Sequence, residues 1–285
     1  MKIAIIGIGF LGKKLKDFLS KKTNVIAANI IPIGEIIKLD AADKSAVNKF
    51  LLEYKPDIVI DTVALTSSIA CEKDPKLCER LNHLTAKNIA DICKKINAQM
   101  IFISSSYVFD GKKGNYTETD PVFPTNEYAK TKIRAENEVL SLPNSMVIRV
   151  DLMYGVENNQ IKCGAMTIDG KKIEVGYPNQ IRSPIFIDDI PFIIFKLIQE
   201  NKTGIFHIAQ QDKIKMLDFL KELVKVSNLN EEIKIVDSSN WIVKSPENSS
   251  LNPSKINLLG LKATPLKESL IKIKEEISQK MDQSS

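Results

Sequence analysis

The sequence predicts an α/β protein in which a doubly wound parallel sheet is followed by a small C-terminal α/β lobe. Three observations support this fold class. Short apolar segments alternate with amphipathic segments of helical period through residues 1–150. The first apolar segment runs directly into the glycine-rich turn GIGFLG. A later apolar segment, residues 100–103, ends in three consecutive serines, at the place where a parallel sheet presents its ligand crevice.

The composition is that of an ordinary globular protein. A chain of 285 residues can bury a large core and suits one large α/β unit or two closely joined lobes. Its net charge of +5 arises from scattered lysines without a dense basic block, so we expect no nucleic-acid partner. The N-terminus lacks the pattern of a signal peptide, and no apolar run approaches a membrane span. We therefore expect a soluble cytoplasmic protein with no membrane partner.

The cysteines show no metal-binding pattern. Cys71, Cys78, Cys93 and Cys163 form no CxxC pair, and only two histidines are available to complete a set of ligands. We interpret all four cysteines as buried free thiols and predict no metal site.

The N-terminal segment predicts a dinucleotide-binding turn. A short apolar strand is followed by Gly7, Gly9 and Gly12, and then by a helix whose apolar positions share one face. In this order, the first glycine permits a tight turn, the second lets the backbone approach a pyrophosphate, and the third allows close helix packing. The turn, with Phe10 and Leu11 between the glycines, therefore predicts a Rossmann domain that binds NAD(P)H.

The second and third strands leave the choice of cofactor open. The strand at residues 24–29 ends in Asn29, where an acidic residue would bind a ribose 2′-hydroxyl and a basic residue would bind a 2′-phosphate. Because Asn29 is neither, the sequence does not distinguish NAD from NADP. A short third strand at residues 36–40 follows, and Asp43 is placed to cap the next helix.

The fourth strand is predicted by a nearly continuous apolar run at residues 57–63, which suits a strand covered on both faces. Asp74 and Pro75 are the residue types preferred at the cap and first turn of a long helix that reaches residue 96. His83 lies within this helix, and we interpret it as a packed or surface histidine rather than a catalytic one.

The segment at residues 101–136 carries the predicted chemistry. After the serine-rich strand end and a loop at residues 111–124, Asn126 can cap a helix. Tyr128 and Lys132 lie four residues apart on that helix, so both side chains project from one face. A phenol can donate a proton when a nearby cation stabilises the phenolate. With a serine hydroxyl holding the same oxygen, this set suits interconversion of a ketone and an alcohol.

The regular alternation ends after a sixth strand at residues 146–150. The following stretch predicts one hairpin, Ala165 to Val175, around Asp169 and Gly170. Further apolar patterns predict strands at residues 185–187 and 205–209 and helices ending at residue 199 and at residues 216–226 and 266–277.

Two carboxylates, Asp188 and Asp189, precede the helix that ends at residue 199. We interpret them as cap and dipole charges rather than as an acid/base pair. The predicted domain organisation assigns residues 1–150 to the dinucleotide-binding domain, with residues 183–209 returning to it. Residues 151–182 and 210–285 then form the substrate-binding lobe.

Several motifs occur in a recognisable order along the chain. They are the glycine-rich first turn, the stretch LDAAD ending at Asp43, a CExxP segment at residues 71–75 followed by Asn82, the block ISSSYVFDG at residues 103–111, a TDPxxPxxxYxxxK block at residues 119–132, and SSLNPSKINLLGLK near the end. Together they resemble the dTDP-4-dehydrorhamnose reductase branch of the extended short-chain dehydrogenases/reductases over nearly the full length of the chain.

The resemblance implies roles for individual residues. Tyr128 would be the proton donor, Lys132 would lower its pKa and bind the cofactor ribose, and Ser105 stands where the family has its catalytic Thr. Tyr107, Arg182 and Ser106 would lie on the substrate side. The implied cofactor-binding residues are Gly7, Gly9, Phe10, Leu11, Gly12, Asn29, Asp40, Ala41, Val63, Ala64, Asn82 and Lys132.

The chain also departs from the family pattern. The first turn is one residue shorter than the usual GxxGxxG, Ser106 replaces a substrate-side Asp, and Leu152 stands where many members have a Trp. These changes concern substrate recognition more than hydride chemistry.

Two functions follow from the resemblance. The first is NAD(P)H-dependent reduction of a 4-keto group on a nucleotide-activated deoxysugar, with conversion of dTDP-4-dehydrorhamnose to dTDP-rhamnose as the leading case. The alternative is a non-catalytic dinucleotide-binding subunit that resembles the regulatory beta subunit of methionine adenosyltransferase. A sugar epimerase or dehydratase would need further acid/base groups that we do not find. The sequence leaves open whether the chain forms a homodimer.

Overall fold

A seven-stranded parallel sheet lies at the centre of the molecule. The computed structural model describes residues 1–164, 166–169, 171–227, 232–238, 242–243 and 245–282. The strands are β1 (Lys2–Ile6), β2 (Asn24–Asn29), β3 (Ile37–Lys38), β4 (Ile58–Asp61), β5 (Gln99–Ser105), β6 (Met146–Val150), β7 (Met153–Glu157), β8 (Gln160–Cys163), β9 (Met166–Ile168), β10 (Ile173–Val175), β11 (Ile181–Arg182), β12 (Ile185–Phe186), β13 (Gly204–Ile208), β14 (Ile214–Lys215) and β15 (Ile233–Ile235). The central sheet has the order β3-β2-β1-β4-β5-β6-β13, so its direction of winding reverses between β1 and β4.

The described helices include those that cover both faces of this sheet and those of the C-terminal part. They are α1 (Phe10–Leu19), α2 (Lys44–Tyr54), α3 (Ser68–Lys73), α4 (Pro75–Cys78), α5 (Thr85–Ile96), α6 (Glu127–Leu140), α7 (Asp189–Gln199), α8 (Met216–Ser227), α9 (Ser254–Asn257) and α10 (Leu266–Asp282). In the described part of the chain, none of these helices is long and apolar enough to cross a membrane.

The two faces of the sheet have separate apolar cores. Leu15 of α1 and Ile194 of α7 pack against one face. Leu51 of α2, Ile89 of α5 and Val139 of α6 pack against the other. Full burial of each such side chain is worth about 1.5 to 3 kcal/mol, which fixes the face that each helix turns toward the sheet. The predicted doubly wound α/β fold is thereby confirmed, with one strand more than the six predicted for the alternating part.

Three of the predicted helix caps are confirmed, those at Asp43, Asp74 and Asn126. Asp43 accepts bonds from the backbone N–H groups of Ser45 and Ala46, and the side chain of Asp74 accepts one from Leu77. At the start of α6, the side chain of Asn126 accepts a bond from the backbone N–H of Ala129. The long helix predicted from Asp74 to residue 96 is interrupted by a π-helical segment at Glu79–Leu84, between α4 and α5.

A third apolar core lies in the C-terminal part. The strands β12, β7, β8 and β9 form a four-stranded sheet, and α8 and α10 pack beside it. Tyr154, Phe219 and Ile273 are fully buried at their contact. Two short two-stranded sheets, one of β11 with β14 and one of β10 with β15, complete this part of the fold.

The predicted hairpin at residues 165–175 is wrong. β9 pairs with β8 in antiparallel fashion, whereas β10 pairs in parallel with β15. The antiparallel pair β8–β9 is joined just after Gly164, whose φ of +58° is accessible to glycine at little cost. Ala165 and Gly170 lie outside the described residues.

The predicted capping role of Asp188 and Asp189 is also wrong. Asp188 makes no side-chain capping bond and forms an ion pair with Lys14 at 2.7 Å. The carboxylate of Asp189 accepts bonds of 2.7 Å from both the backbone N–H and the hydroxyl of Thr264. Asp189 remains in the first turn of α7, where a negative charge is favourable, but its bonds tie the C-terminal segment to this helix.

Candidate active site

The glycine turn after β1 has the open backbone surface that a pyrophosphate requires. Gly7 has a φ of +94°, which favours glycine, and a Cβ atom at Gly12 would lie 2.0 Å from the carbonyl oxygen of Gly7. A Cβ atom at Gly9 would meet nothing within 4 Å. Gly7 and Gly12 therefore shape the turn, while Gly9 leaves space at the N-terminus of α1, where backbone N–H groups favour an anion.

An elongated cleft runs over the carboxyl ends of β1, β4 and β5. It consists of one cavity of about 280 Å³ and one of about 520 Å³, and both are lined by Gly9, Thr62 and Ala64. This position, beside the point where the strand order reverses, is where open α/β sheets bind dinucleotides. The shape and the glycine turn together fit NAD(P)H.

The predicted cofactor-binding residues line this cleft with one exception. The smaller cavity is lined by Gly7, Gly9, Asn29, Asp40, Ala41, Val63 and Ala64, and the larger by Gly9, Phe10, Leu11, Gly12, Ala64 and Lys132. The exception is Asn82, which is fully buried. Its amide accepts a bond of 2.7 Å from the N–H of Leu65 and donates one of 3.2 Å to the carbonyl of the same residue. Asn82 therefore holds the loop after β4 instead of facing the cleft.

The predicted catalytic residues converge on the larger cavity. Ser105 lies at the end of β5, while Tyr128 and Lys132 lie one turn apart on α6, and all three line the cavity wall. Burial raises the pKa of Tyr128 to about 12, although the Ser105 hydroxyl and the charge of Arg182 act in the opposite direction. The phenol is therefore protonated at neutral pH and can donate a hydrogen bond.

The ammonium of Lys132 lies beneath the same wall. It donates a bond of 2.6 Å to the carbonyl of Ile103 and lies 4.0 Å from the centre of the Phe102 ring. Burial lowers the pKa of Lys132, while the charges of Asp61 and Glu136 raise it. In this structure the cation that lowers the pKa of Tyr128 is Arg182, so the corresponding role of Lys132 stays a prediction.

A buried ion pair forms a second part of the wall of the larger cavity. The guanidinium of Arg182 donates to Asp151 Oδ1 through Nε at 2.8 Å and to the Tyr107 hydroxyl through Nη1 at 3.2 Å. Ser106 donates to the same carboxylate oxygen at 2.7 Å, and the N–H of Ser183 donates to the other oxygen at 2.6 Å. Because Asp151 is almost fully buried, these donors are what stabilises its charge.

Two of the three predicted substrate residues therefore face the cavity. Tyr107 and Arg182 line it. The prediction for Ser106 is wrong, because its side chain is fully buried behind the wall and its hydroxyl is bonded to Asp151. Successive side chains of an extended strand point to opposite sides. Ser105, at the end of β5, therefore points toward the cleft, and the next residue, Ser106, points away from it.

A third cavity, of about 310 Å³, continues from the larger one into the C-terminal part. Tyr107, Leu152 and Arg182 line both cavities. Beyond them the walls are largely apolar and include Met166, Tyr177, Val175, Met216 and Leu220. A long ligand that reaches the catalytic residues can therefore extend its remote end into this part of the molecule.

Several residues outside the predicted set also shape the site. Thr62 donates its hydroxyl to the carbonyl of Gly7 and lines both cavities of the cleft. Asp61 is fully buried beside it, and Asp151 carries the ion pair to Arg182. Their positions in the sequence indicated this, because each of the three ends or directly follows an apolar strand. The carboxyl ends of parallel strands lie at the ligand crevice.

The interpretation of all four cysteines as free thiols is also wrong. Cys71 and Cys78 form a disulfide, whereas Cys93 and Cys163 are free and buried. Seven residues of straight helix would separate two Cα atoms by about 10 Å. Here the chain turns at Asp74, between α3 and α4, and the two Cα atoms are 4.9 Å apart.

Comparison with known proteins gives a consistent family. The family model described as "RmlD substrate binding domain" matches residues 1–279. The spore coat polysaccharide biosynthesis protein SpsK of Bacillus subtilis is 28% identical over 249 residues, which cover 86% of this chain and 88% of that protein. The beta subunit of methionine adenosyltransferase 2 of Xenopus laevis is 27% identical over 271 residues, which cover 89% and 80%.

A solved structure agrees with this result. A dTDP-4-dehydrorhamnose reductase of Clostridium acetobutylicum superimposes with a TM-score of 0.84 at 28% identity, and the match covers 98% of this chain and 100% of that chain. The resemblance predicted from the sequence is thereby confirmed.

Proposed function

Because the chain belongs to the family of the RmlD substrate binding domain, we propose that it is an NAD(P)H-dependent reductase of the 4-keto group of a nucleotide-activated deoxysugar. The first substrate to test is dTDP-4-dehydrorhamnose, which would be reduced to dTDP-rhamnose. One observation carries the proposal: Ser105, Tyr128 and Lys132 line the larger cavity, and Gly9 of the glycine turn lines both cavities of the cleft. A carbonyl group at this wall lies within reach of two hydroxyls and beside a cofactor cleft.

The residues of the chain divide the work of the reaction. NAD(P)H, when bound, supplies the hydride. Tyr128 donates its phenolic proton to the substrate oxygen as negative charge develops there, and Ser105 holds the same oxygen by a hydrogen bond. The raised pKa of Tyr128 keeps the proton on the phenol until the oxygen can accept it. The positive charge of Lys132, buried beneath the wall, favours the phenolate that remains.

The opposite wall would hold the nucleotide-sugar. Arg182 is fixed by Asp151, and Tyr107 is fixed by Arg182 and by Ser245, to which its hydroxyl is bonded at 2.8 Å. Such a rigid, partly apolar surface can orient a sugar ring without moving its own side chains. The third cavity would receive the nucleotide base.

The direct test is a spectrophotometric assay of cofactor oxidation. The purified protein is supplied separately with NADH and NADPH and with enzymatically generated dTDP-4-keto-6-deoxy-L-mannose, and Tyr128→Phe is assayed beside it. We expect turnover by the wild type and a loss of about 10²- to 10⁴-fold in kcat for Tyr128→Phe, with cofactor affinity retained. Equal turnover by the two proteins would remove Tyr128 from the proposed mechanism.

A second candidate is a non-catalytic regulatory subunit. The similarity to the beta subunit of methionine adenosyltransferase 2 favours it, because that relative matches over 89% of this chain. Tight cofactor binding without turnover on any nucleotide-linked keto-sugar, together with a stable complex with a methionine adenosyltransferase, would favour this candidate over the reductase.

A further inference from the structure

Asp61 is a buried acid with one oxygen unaccounted for. It is the last residue of β4 and is fully buried. Its Oδ1 accepts a bond of 3.0 Å from the N–H of Val63, while its Oδ2 has no hydrogen-bond partner. A buried carboxylate oxygen without a partner is costly, so a nearby cation is needed to stabilise its charge.

The ammonium of Lys132 is placed to be that cation. Asp61 is the register partner of Phe102 on the adjacent parallel strand, so the two side chains project from the same face of the sheet. The ammonium of Lys132 lies over the Phe102 ring, 4.0 Å from its centre. Among the described residues, this ammonium donates a single hydrogen bond, the one to the carbonyl of Ile103. The acid and the amine therefore share one buried patch beneath the catalytic wall.

The other titratable groups around this patch are already neutral or paired. Glu136 follows Lys132 by one turn of α6, but its two oxygens are bonded by Arg149 at 2.9 and 2.6 Å. Cys93 of α5 faces Asp61, and burial raises its pKa to about 12, so its thiol is uncharged. Tyr128 is uncharged for the same reason. Asp61 is thus the one acid in this patch without a charged partner of its own among the described residues.

We propose that Asp61 is a positioning residue that keeps Lys132 charged and in place beneath Tyr128. This inference rests on the proposed function, in which Lys132 belongs to the reacting set. Asp61 itself contacts neither cavity, so it acts through Lys132. It thereby sets the upper pH limit of the reaction.

The direction of the effect follows from charge. Burial lowers the pKa of Lys132 and the carboxylate of Asp61 raises it, so removal of this carboxylate lowers it further. Lys132 then loses its proton at a lower pH. Because the reaction requires the charged amine, the fall of kcat/KM on the alkaline side moves to lower pH as well.

The test compares Asp61→Asn with Glu138→Gln. Asn keeps an acceptor for the N–H of Val63, so the local hydrogen bond is retained. Glu138 lies on the same helix, but its carboxylate pairs with His83 and Lys87 on the surface, and its removal serves as the control. The first readout is the ¹³Cε resonance of Lys132 against pH in protein labelled with ¹³C-lysine, assigned with Lys132→Arg. The second is the pH profile of kcat/KM.

We expect Asp61→Asn to lower the titration midpoint of Lys132 by about 1 to 3 units and to move the alkaline limb by the same amount. We expect Glu138→Gln to change neither. An unchanged Lys132 midpoint in Asp61→Asn overturns the inference. The resonance needs no turnover, so a shifted midpoint without activity on any keto-sugar would sustain the pairing and overturn only the reductase. If Asp61→Asn does not fold, Asp61→Ser offers the same N–H an acceptor and is measured instead.

Discussion

The larger cavity has two walls, to which the proposed function assigns proton transfer and substrate binding, and they are built in different ways. On the proton-transfer wall, Ser105, Tyr128 and Lys132 come from one strand and the next helix, within 28 residues of each other. On the substrate wall, Arg182 meets Asp151 across 31 residues and Tyr107 across 75. The first wall depends on local periodicity and the second on tertiary contacts. Regular elements thus fix the reacting groups, while longer-range contacts fix the surface that would recognise the substrate.

This difference explains why the prediction for Ser106 is wrong. Its identity suggested that a substrate-side carboxylate of the family had been lost. In the structure, Asp151 of the neighbouring chain segment brings a carboxylate within 2.7 Å of the Ser106 hydroxyl. A carboxylate 45 residues away in the sequence therefore lies beside Ser106, which no motif centred on Ser106 could reveal.

The largest expected effect is the loss of stability when either of the two buried arginines is replaced. Arg182→Met and Arg149→Met each leave a buried carboxylate, Asp151 or Glu136, without its cation. We expect each to lower the free energy of unfolding by about 3 to 5 kcal/mol in urea titrations. Only Arg182 lines the cavity, so only its replacement is expected to raise KM for the keto-sugar. An equal rise in KM for both variants would show that Arg149 affects substrate binding as much as Arg182 does.

Two adjacent serines give a sharper test. Ser105→Ala removes a hydroxyl from the cavity wall, and we expect a fall of about 10²- to 10³-fold in kcat with little change in stability. Ser106→Ala removes a donor from buried Asp151, and we expect a loss of about 1 to 3 kcal/mol in stability with little change in kcat. Steady-state kinetics and urea unfolding of both variants check this. The reverse pattern would contradict the orientation of the two side chains.

Removal of the disulfide tests whether α3 and α4 are held together by more than packing. Cys71 and Cys78 enclose a short loop, so we expect Cys78→Ser to lower stability by about 2 kcal/mol. Thermal unfolding with and without a reductant measures this. The reductant is expected to lower the melting temperature of the wild type but not of Cys78→Ser. A wild type that does not respond to the reductant would mean that the two thiols are not joined.

The smallest effect at neutral pH concerns His207 of β13. Burial and the charge of Arg149 lower its pKa to about 3, and its Nδ1 lies 3.0 Å from the carbonyl of Tyr116. Between pH 6.5 and pH 3 the unfolded chain binds a proton that the folded protein does not, so stability is full above this window and falls as pH falls through it. We expect about 1 to 2 kcal/mol to be lost between pH 7 and pH 5.

His207→Asn checks this expectation because its amide can still donate to Tyr116 but does not titrate. Urea unfolding of both proteins at several pH values measures the slope of stability against pH. We expect a shallower slope in the variant. Parallel slopes would mean that another group causes the acid sensitivity.

Much of the fold and part of the site could be predicted from the sequence. The glycine turn, the caps at Asp43, Asp74 and Asn126, and the spacing of Tyr128 and Lys132 depend on neighbours within a few residues. Their physics is that of local hydrogen bonds and the helical repeat, which a sequence shows directly. The second sheet was harder, because its strands are two to five residues long and a single glycine decides where the chain reverses.

The sequence by itself determined the doubly wound sheet, the position of the crevice and the three residues proposed for catalysis. The tertiary structure decided what surrounds them: the ion pair of Asp151 with Arg182, the disulfide of Cys71 with Cys78, and the burial of Asp61 beside Lys132. The reason is physical. Alternation and helical period are recorded in adjacent residues, whereas the environment of a charge depends on distant segments that only packing brings together.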